Sequence, residues 1–208
     1  MQMARTVTRG DYGRNITGSL VIPAGVTRIG NDAFRRSGLT SVVIPGSVTS
    51  IGDFAFERCM ELTSVVFNGC NNLTSIGDFA FRMCWKLTSV RIPVGVTTIG
   101  DGAFYGCSKL TSVAIPVGVT SIAKYLFYAC SKLTSVTIPV GVTTIGDNAF
   151  YRCSGLTSVS LRSVVTLGDR AFCLCSGLTG NLLIPRLTDV GESAFSGCSG
   201  LKSVSLRN

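Results

Sequence analysis

Residues 110–132 read LTSVAIPVGVTSIAKYLFYACSK, and variants of this 23-residue pattern recur along nearly the whole chain. All six prolines (Pro23, Pro45, Pro93, Pro116, Pro139 and Pro185) share one register, each following an apolar residue. Phe34, Phe56, Phe81, Phe104, Phe127, Phe150, Phe172 and Phe195 follow one another at intervals of 22, 25, 23, 23, 23, 22 and 23. A fixed period of this length marks a solenoid, whose units bury their apolar sides only against neighbouring copies.

Each unit divides into three parts. In Leu-Thr-Ser-Val-x-Ile the apolar residues, here Leu110, Val113 and Ile115, face one way while an outward residue separates the last two, as a strand requires. Proline lacks an amide hydrogen and ends the ladder. Gly-Val-Thr-x-Ile-Gly then reads as a second short extended segment, and the glycines after its Ile (Gly52, Gly77, Gly100, Gly146) are expected at positive φ. Asp-x-Ala-Phe-x-x-Cys is expected to form a single helical turn, with Ala103, Phe104 and Cys107 inward and Asp101 capping its free amides. The fold class is therefore an α/β-type repeat solenoid dominated by β, with a parallel sheet, short extended segments and single helical turns. Strands are placed near 19–22, 41–44, 64–67, 89–92, 112–115, 135–138, 158–161, 181–184 and 203–206. An insertion at Asn68–Asn72 accounts for the interval of 25.

Composition agrees with a folded chain. The 208 residues are 46% hydrophobic and 14% charged, enough to fill a continuous core. No run of 18 apolar residues is present to span a membrane, and residues 1–15 lack an apolar stretch of signal-peptide length. The net charge of +8 is diffuse, without the interleaved aromatics of a nucleic-acid-binding module, so nucleic acid is not the expected partner. The domain division is 1–15 as a polar N-terminal extension or cap and 16–208 as solenoid, eight repeats plus a ninth strand.

Leu-x-x-Val-x-Ile-Pro, Val-Thr-x-Ile-Gly and Ala-Phe-x-x-Cys together resemble the BspA-like leucine-rich repeat family over about 16–208. Departures are local: Asn68 and Arg162 replace the proline, Ser37 the first Cys, and Ala123-Lys124 the Gly-Asp pair. The resemblance implies cell-surface adhesion and protein–protein contact, and a surface or secreted location. Reduced cysteines would instead fit the cytoplasm, and the location stays open. Leucine-rich repeats are a scaffold reused for many partners.

Seven of the nine cysteines (Cys59, Cys84, Cys107, Cys130, Cys153, Cys175, Cys198) form one column. Their spacing does not suit zinc, and no His is present. Stacked neighbours about 5 Å apart would allow disulfides by distance, but buried reduced thiols are the expected state. Cys70 and Cys173 lie off the column and are expected to be accessible. The acid column (Asp53, Asp78, Asp101, Asp147, Asp169, with Asn31 and Glu192 in register) reads as local caps, interrupted at Lys124. Neither a metal nor a cofactor is expected.

Two surfaces are candidate contact sites. The outward sheet positions Ser64, Val66, Ser89, Arg91, Ser112, Ala114, Ser135, Thr137, Ser158 and Ser160 form a bland face suited to docking a protein. Tyr105, Tyr128 and Tyr151 form a column expected to be exposed, and Lys86, Lys109 and Lys132 stack just before successive strands. Asn15-Ile16-Thr17 and Asn72-Leu73-Thr74 fit the glycosylation pattern of a secreted chain. General acid–base chemistry at neutral pH usually calls on His, and a cysteine nucleophile here would lack a His partner. The expected function is a non-catalytic binding scaffold for a protein or a surface glycan, as in adhesion; the alternative is a structural or self-assembling repeat element. The last unit stops at Leu206-Arg207-Asn208, inside a strand guarded only by Lys202 and Arg207. Bare solenoid ends call for a cap, so end-to-end self-association or a longer parent protein is expected.

The Phe column yields the first test. Phe127→Ala should lower stability by about 3–5 kcal/mol, read as a large drop in the thermal melt; a melt unchanged within a few degrees would remove the column from the core.

Overall fold

Among the described residues every strand pairs with a strand of a neighbouring coil, never with one of its own. The structure, a computed structural model, describes residues 5–13 and 15–206, so Arg207, Asn208 and the residues before Arg5 lie outside it. The first sheet is built from Thr17–Val21, Gly38–Pro45, Ser64–Asn68, Ser89–Val90, Ser112–Ala114 and Ser135–Thr137, each parallel to the next. Gly180–Leu183 and Leu201–Ser205 pair separately. The second extended segment makes a second sheet: Arg5–Val7, Val26–Ile29, Ser50–Ile51, Ser75–Ile76 and Thr98–Ile99, then Ser121–Ile122, Thr144–Ile145, Thr166–Leu167 and Asp189–Val190. Between the sheets the proline carbonyl closes a tight corner, as in Val119 N–H to Pro116 O (3.0 Å) and Val142 N–H to Pro139 O (3.0 Å).

Inside the coils run columns of identical side chains. The eight phenylalanines stack with centroids 4.9–5.8 Å apart and ring planes within 26° of parallel. Phe56 through Phe172 are fully buried. At the amino end Val7 is buried and Tyr12 tilts over Phe34 with centroids 5.6 Å apart, so the first Phe ring is covered.

The third side is not a helical turn. Each unit there alternates between ordinary and left-handed backbone, with left-handed residues four apart: Phe54 and Arg58, Phe79 and Met83, Gly102 and Gly106, Tyr125 and Ala129, Asn148 and Arg152. This alternation directs the amide hydrogens two ways. Ala33, Arg35 and Ser37 donate to the carbonyls of Gly30, Asp32 and Phe34 three residues back, closing turns. Asp32, Phe34 and Arg36 donate to Asp53, Ala55 and Glu57 in the following coil (2.7–2.9 Å). A helix would keep all these bonds within the coil. Left-handed backbone costs an ordinary residue about 1–2 kcal/mol, a cost offset by three inter-coil bonds per unit and by the packing of Ala, Phe and Cys. The inward face expected from the spacing is kept.

The glycines after Ile differ from expectation in their cause. Gly52, Gly77, Gly100 and Gly146 do not have positive φ; a Cβ at Gly77 would lie 2.7 Å from the amide nitrogen of Asp53 one coil below. They are glycine because two backbones touch. The exception supports the rule: where Ala123 replaces glycine, no amide of residues 120–123 donates to a backbone carbonyl of the coil below, and the second sheet is split there.

The first sheet also breaks, because the expected strand at 158–161 does not form. That unit is one residue shorter, and its corner closes at Leu161 (Val164 N–H to Leu161 O, 3.1 Å), one position earlier than at Pro139. The segment left between Leu156 and the corner is too short to continue the ladder. Gly77→Ala should therefore cost about 2–3 kcal/mol through overpacking. Ala123→Gly should stabilise by about 0.5–1 kcal/mol, as recovered inter-coil hydrogen bonds outweigh the added chain entropy. Urea titrations of both variants check the opposite signs, and a destabilised Ala123→Gly would refute the account of the split.

Candidate functional site

The outward face of the first sheet is a set of in-register rows. Ser64 pairs with Ser89, Ser89 with Ser112 and Ser112 with Ser135, while Ala114 stands beside Thr137. Val66 and Arg91 are exposed at one edge of this field. Parallel pairing spaces such rows by about 4.8 Å, so Ser, Ala and Thr side chains present a low, even surface. Ser158 and Ser160 are exposed but lie outside the sheet, because their strand is missing.

Tyr105, Tyr128 and Tyr151 do stack, with centroids 4.5 and 4.8 Å apart and nearly parallel rings. They are half-buried rather than exposed, because coil spacing presses each ring against the next and leaves mainly the rims in solvent. Burial, and then the neighbouring Tyr105, raise the Tyr128 hydroxyl above its ordinary pKa.

The same column continues below the tyrosines as Arg82, Glu57 and Arg35. Glu57 is fully buried, paired with Arg35 and with Arg82 (Nη1–Oε1 3.0 Å). Arg35 also bonds Asp32 at 2.9 Å. The Arg82 guanidinium lies 5.2 Å from the Tyr105 ring centre and 5.5 Å from that of Phe79, joining the ion cluster to the aromatic ladder. A buried carboxylate without partners would be strongly destabilising; here two coils supply the cations. The sequence reading missed this cluster, although the alternation Arg35, Glu57, Arg82 in one register was available to find it.

The acid column is a ladder between coils, not a set of caps on its own turns. Asp53 Oδ1 accepts the Asp78 amide (2.9 Å), Asp78 that of Asp101 (2.8 Å), Asp101 that of Lys124 (3.0 Å) and Asp147 that of Asp169 (3.1 Å). Lys124 gives no side-chain acceptor but binds Asp147 through Nζ at 2.7 Å, which lowers the Asp147 pKa. Each column aspartate thus has a partner, and among the described residues no group of three metal-ligating side chains gathers. No helix among them is long and apolar enough to cross a membrane.

All nine cysteines are free. Each column thiol donates to a Phe carbonyl in the preceding coil, as in Cys107 to Phe81 and Cys130 to Phe104 (both 3.2 Å). Ser37, in place of the first Cys, sits 3.2 Å from Cys59 Sγ. Cys70 and Cys173 are buried, contrary to expectation. The inserted loop turns Cys70 inward onto the Ile44 and Pro45 carbonyls (3.2 Å each), and Cys173 occupies the half-covered Tyr register.

Burial pushes the Cys59 thiol up to about 11 and Cys107 to about 12, with Cys84 and Cys130 well above the ordinary value. The folded state therefore holds these protons more tightly than the unfolded chain. The resulting stability is complete below the unfolded thiol pKa of about 8.5 and is lost as pH rises toward the folded values. Urea midpoints should fall between about pH 8.5 and 11, less so in Cys107→Ala. At pH 8 no more than about three thiols should react quickly before denaturation; faster wholesale labelling would contradict the buried column.

Comparison with known proteins agrees with this geometry. The sequence profile described as "BspA type Leucine rich repeat region (6 copies)" matches residues 12–132 and 97–208. A leucine-rich cell surface protein of Faecalibacterium prausnitzii is similar in structure, with 27% identity, a TM-score of 0.63, and coverage of 93% of this chain and 70% of that one. A leucine-rich repeat protein of Bacteroides ovatus gives 28% identity and a TM-score of 0.63 over 95% of this chain and 67% of its own. The Treponema pallidum leucine-rich repeat protein gives 29% identity and a TM-score of 0.54 over 70% and 80%. No curated protein matches. With repeat profile, parallel coils and inward columns in agreement, the chain belongs to the BspA-type leucine-rich repeat family.

Proposed function

We propose that the chain is a non-catalytic scaffold that binds a protein partner at a cell surface through the outward face of its first sheet. The observation carrying this reading is the in-register field of small side chains, Ser89, Ser112 and Ser135 beside Ala114 and Thr137. Such a field lets another backbone approach closely and immobilises few long side chains on binding, which keeps the entropic cost of association low. Its location is supported by the structural likeness to a protein described as a cell surface protein.

Labelled chain titrated onto a panel of intact bacterial and animal cells should bind saturably to some, and protease treatment of those cells should abolish the binding. Ala114→Arg with Thr137→Arg, projecting from the last two strands of the face, should weaken binding by about tenfold or more. Thr98→Arg on the second sheet should leave it unchanged. Binding that survives protease, or that ignores the face variants, would overturn the proposal.

A further inference from the structure

We infer that the turn side carries a second, separate docking groove, shaped for an acidic peptide segment with an apolar anchor side chain. Two columns break their own repeat to make it. After the column cysteine the chain places Ser108, Ser131, Ser154, Ser176 and Ser199, but Met60 and Trp85 stand in this register two coils running. Both are exposed, at 38% and 46%. Beside them Met83 holds a long side chain on left-handed backbone (φ 58°), where the next coil has Gly106.

One coil further the same registers shrink to Gly106 and Ser108, then to Ala129. The step from large to small leaves a groove of about 710 Å³ along the half-buried rims of Tyr105 and Tyr128. That volume suits a few residues of peptide. The walls are thioether, indole and phenol, which adapt to an aliphatic or aromatic side chain. A sugar would need several fixed donors and acceptors; apart from Ser108 and the charged groups at the mouth, the lining side chains offer little beyond the Tyr hydroxyls and the Trp85 indole N–H.

Charge selects the rest of the ligand. Glu61 at the mouth is already paired with Lys86 at 2.6 Å. Lys109 in the lining, and Lys132 one coil beyond, form no ion pair among the described residues. The unmatched positive charge favours carboxylates flanking the anchor. The groove lies on a different side of the coil from the first sheet, so it does not depend on the sheet-face proposal.

Panning a displayed library of random dodecapeptides on the intact chain tests the inference. Enriched peptides should carry Asp or Glu beside Phe, Leu or Trp. Versions synthesised without Trp should shift the emission of Trp85, the only Trp in the chain, saturably. Lys109→Glu, and separately Met60→Ser with Trp85→Ser, should each weaken labelled-peptide binding about tenfold. Serine is resident at that register in five other coils, so the serine variant should keep its melting temperature within a few degrees, which a melt verifies. Ala114→Arg with Thr137→Arg should leave peptide binding unchanged. Enrichment of neutral or basic peptides, failure to enrich any peptide, or binding indifferent to the groove variants would overturn it.

Discussion

Close approach of one coil's backbone to the next is the constraint on which this structure depends. At the glycines after Ile there is no room even for a Cβ, and where Ala123 intrudes the second sheet parts. Alternate amides of the turn side end on carbonyls of the following coil, so no coil is satisfied alone. Secondary structure and tertiary contact are then the same bonds, which is why stability in such arrays is largely a nearest-neighbour property.

The same spacing governs the polar groups. Stacking like residues a few ångströms apart would set carboxylate against carboxylate, yet each ladder aspartate accepts an amide hydrogen from the next coil. Thiols stacked in the interior donate to Phe carbonyls of the preceding coil that also accept a turn amide. Glu57 shows what happens when a column changes chemistry: an acid enters a register held by Arg35 and Arg82, and two coils neutralise it. The regular columns therefore build the frame, and the irregular ones carry distinguishing features. The even sheet face belongs to the first kind; the Met60, Met83 and Trp85 wall belongs to the second.

By itself the sequence determined the solenoid, its parallel pairing and its inward columns, because a period near 23 with Phe, Leu, Val, Ile and Cys at fixed offsets has few other ways to bury itself. It aligned Ser64, Ser89, Ser112 and Ser135 and stacked the three tyrosines, but it put Ser158 and Ser160 on a strand that does not form and the tyrosines in full solvent. Local pattern could not reveal how backbones meet across coils. Read within one unit, Gly77 answers to its own φ, Asp101 to its own turn and Asp-x-Ala-Phe-x-x-Cys to a helix, since each assignment satisfies the residue locally. Only the tertiary structure decided that these groups serve the neighbouring coil. It also decided that a one-residue deletion removes the strand at 158–161, that Cys70 and Cys173 are buried, and that Glu57 has two arginine partners. The physical reason is common to all: a repeat's period states which residues stack, but the distance between stacked backbones, set by every coil at once, determines which atoms bond.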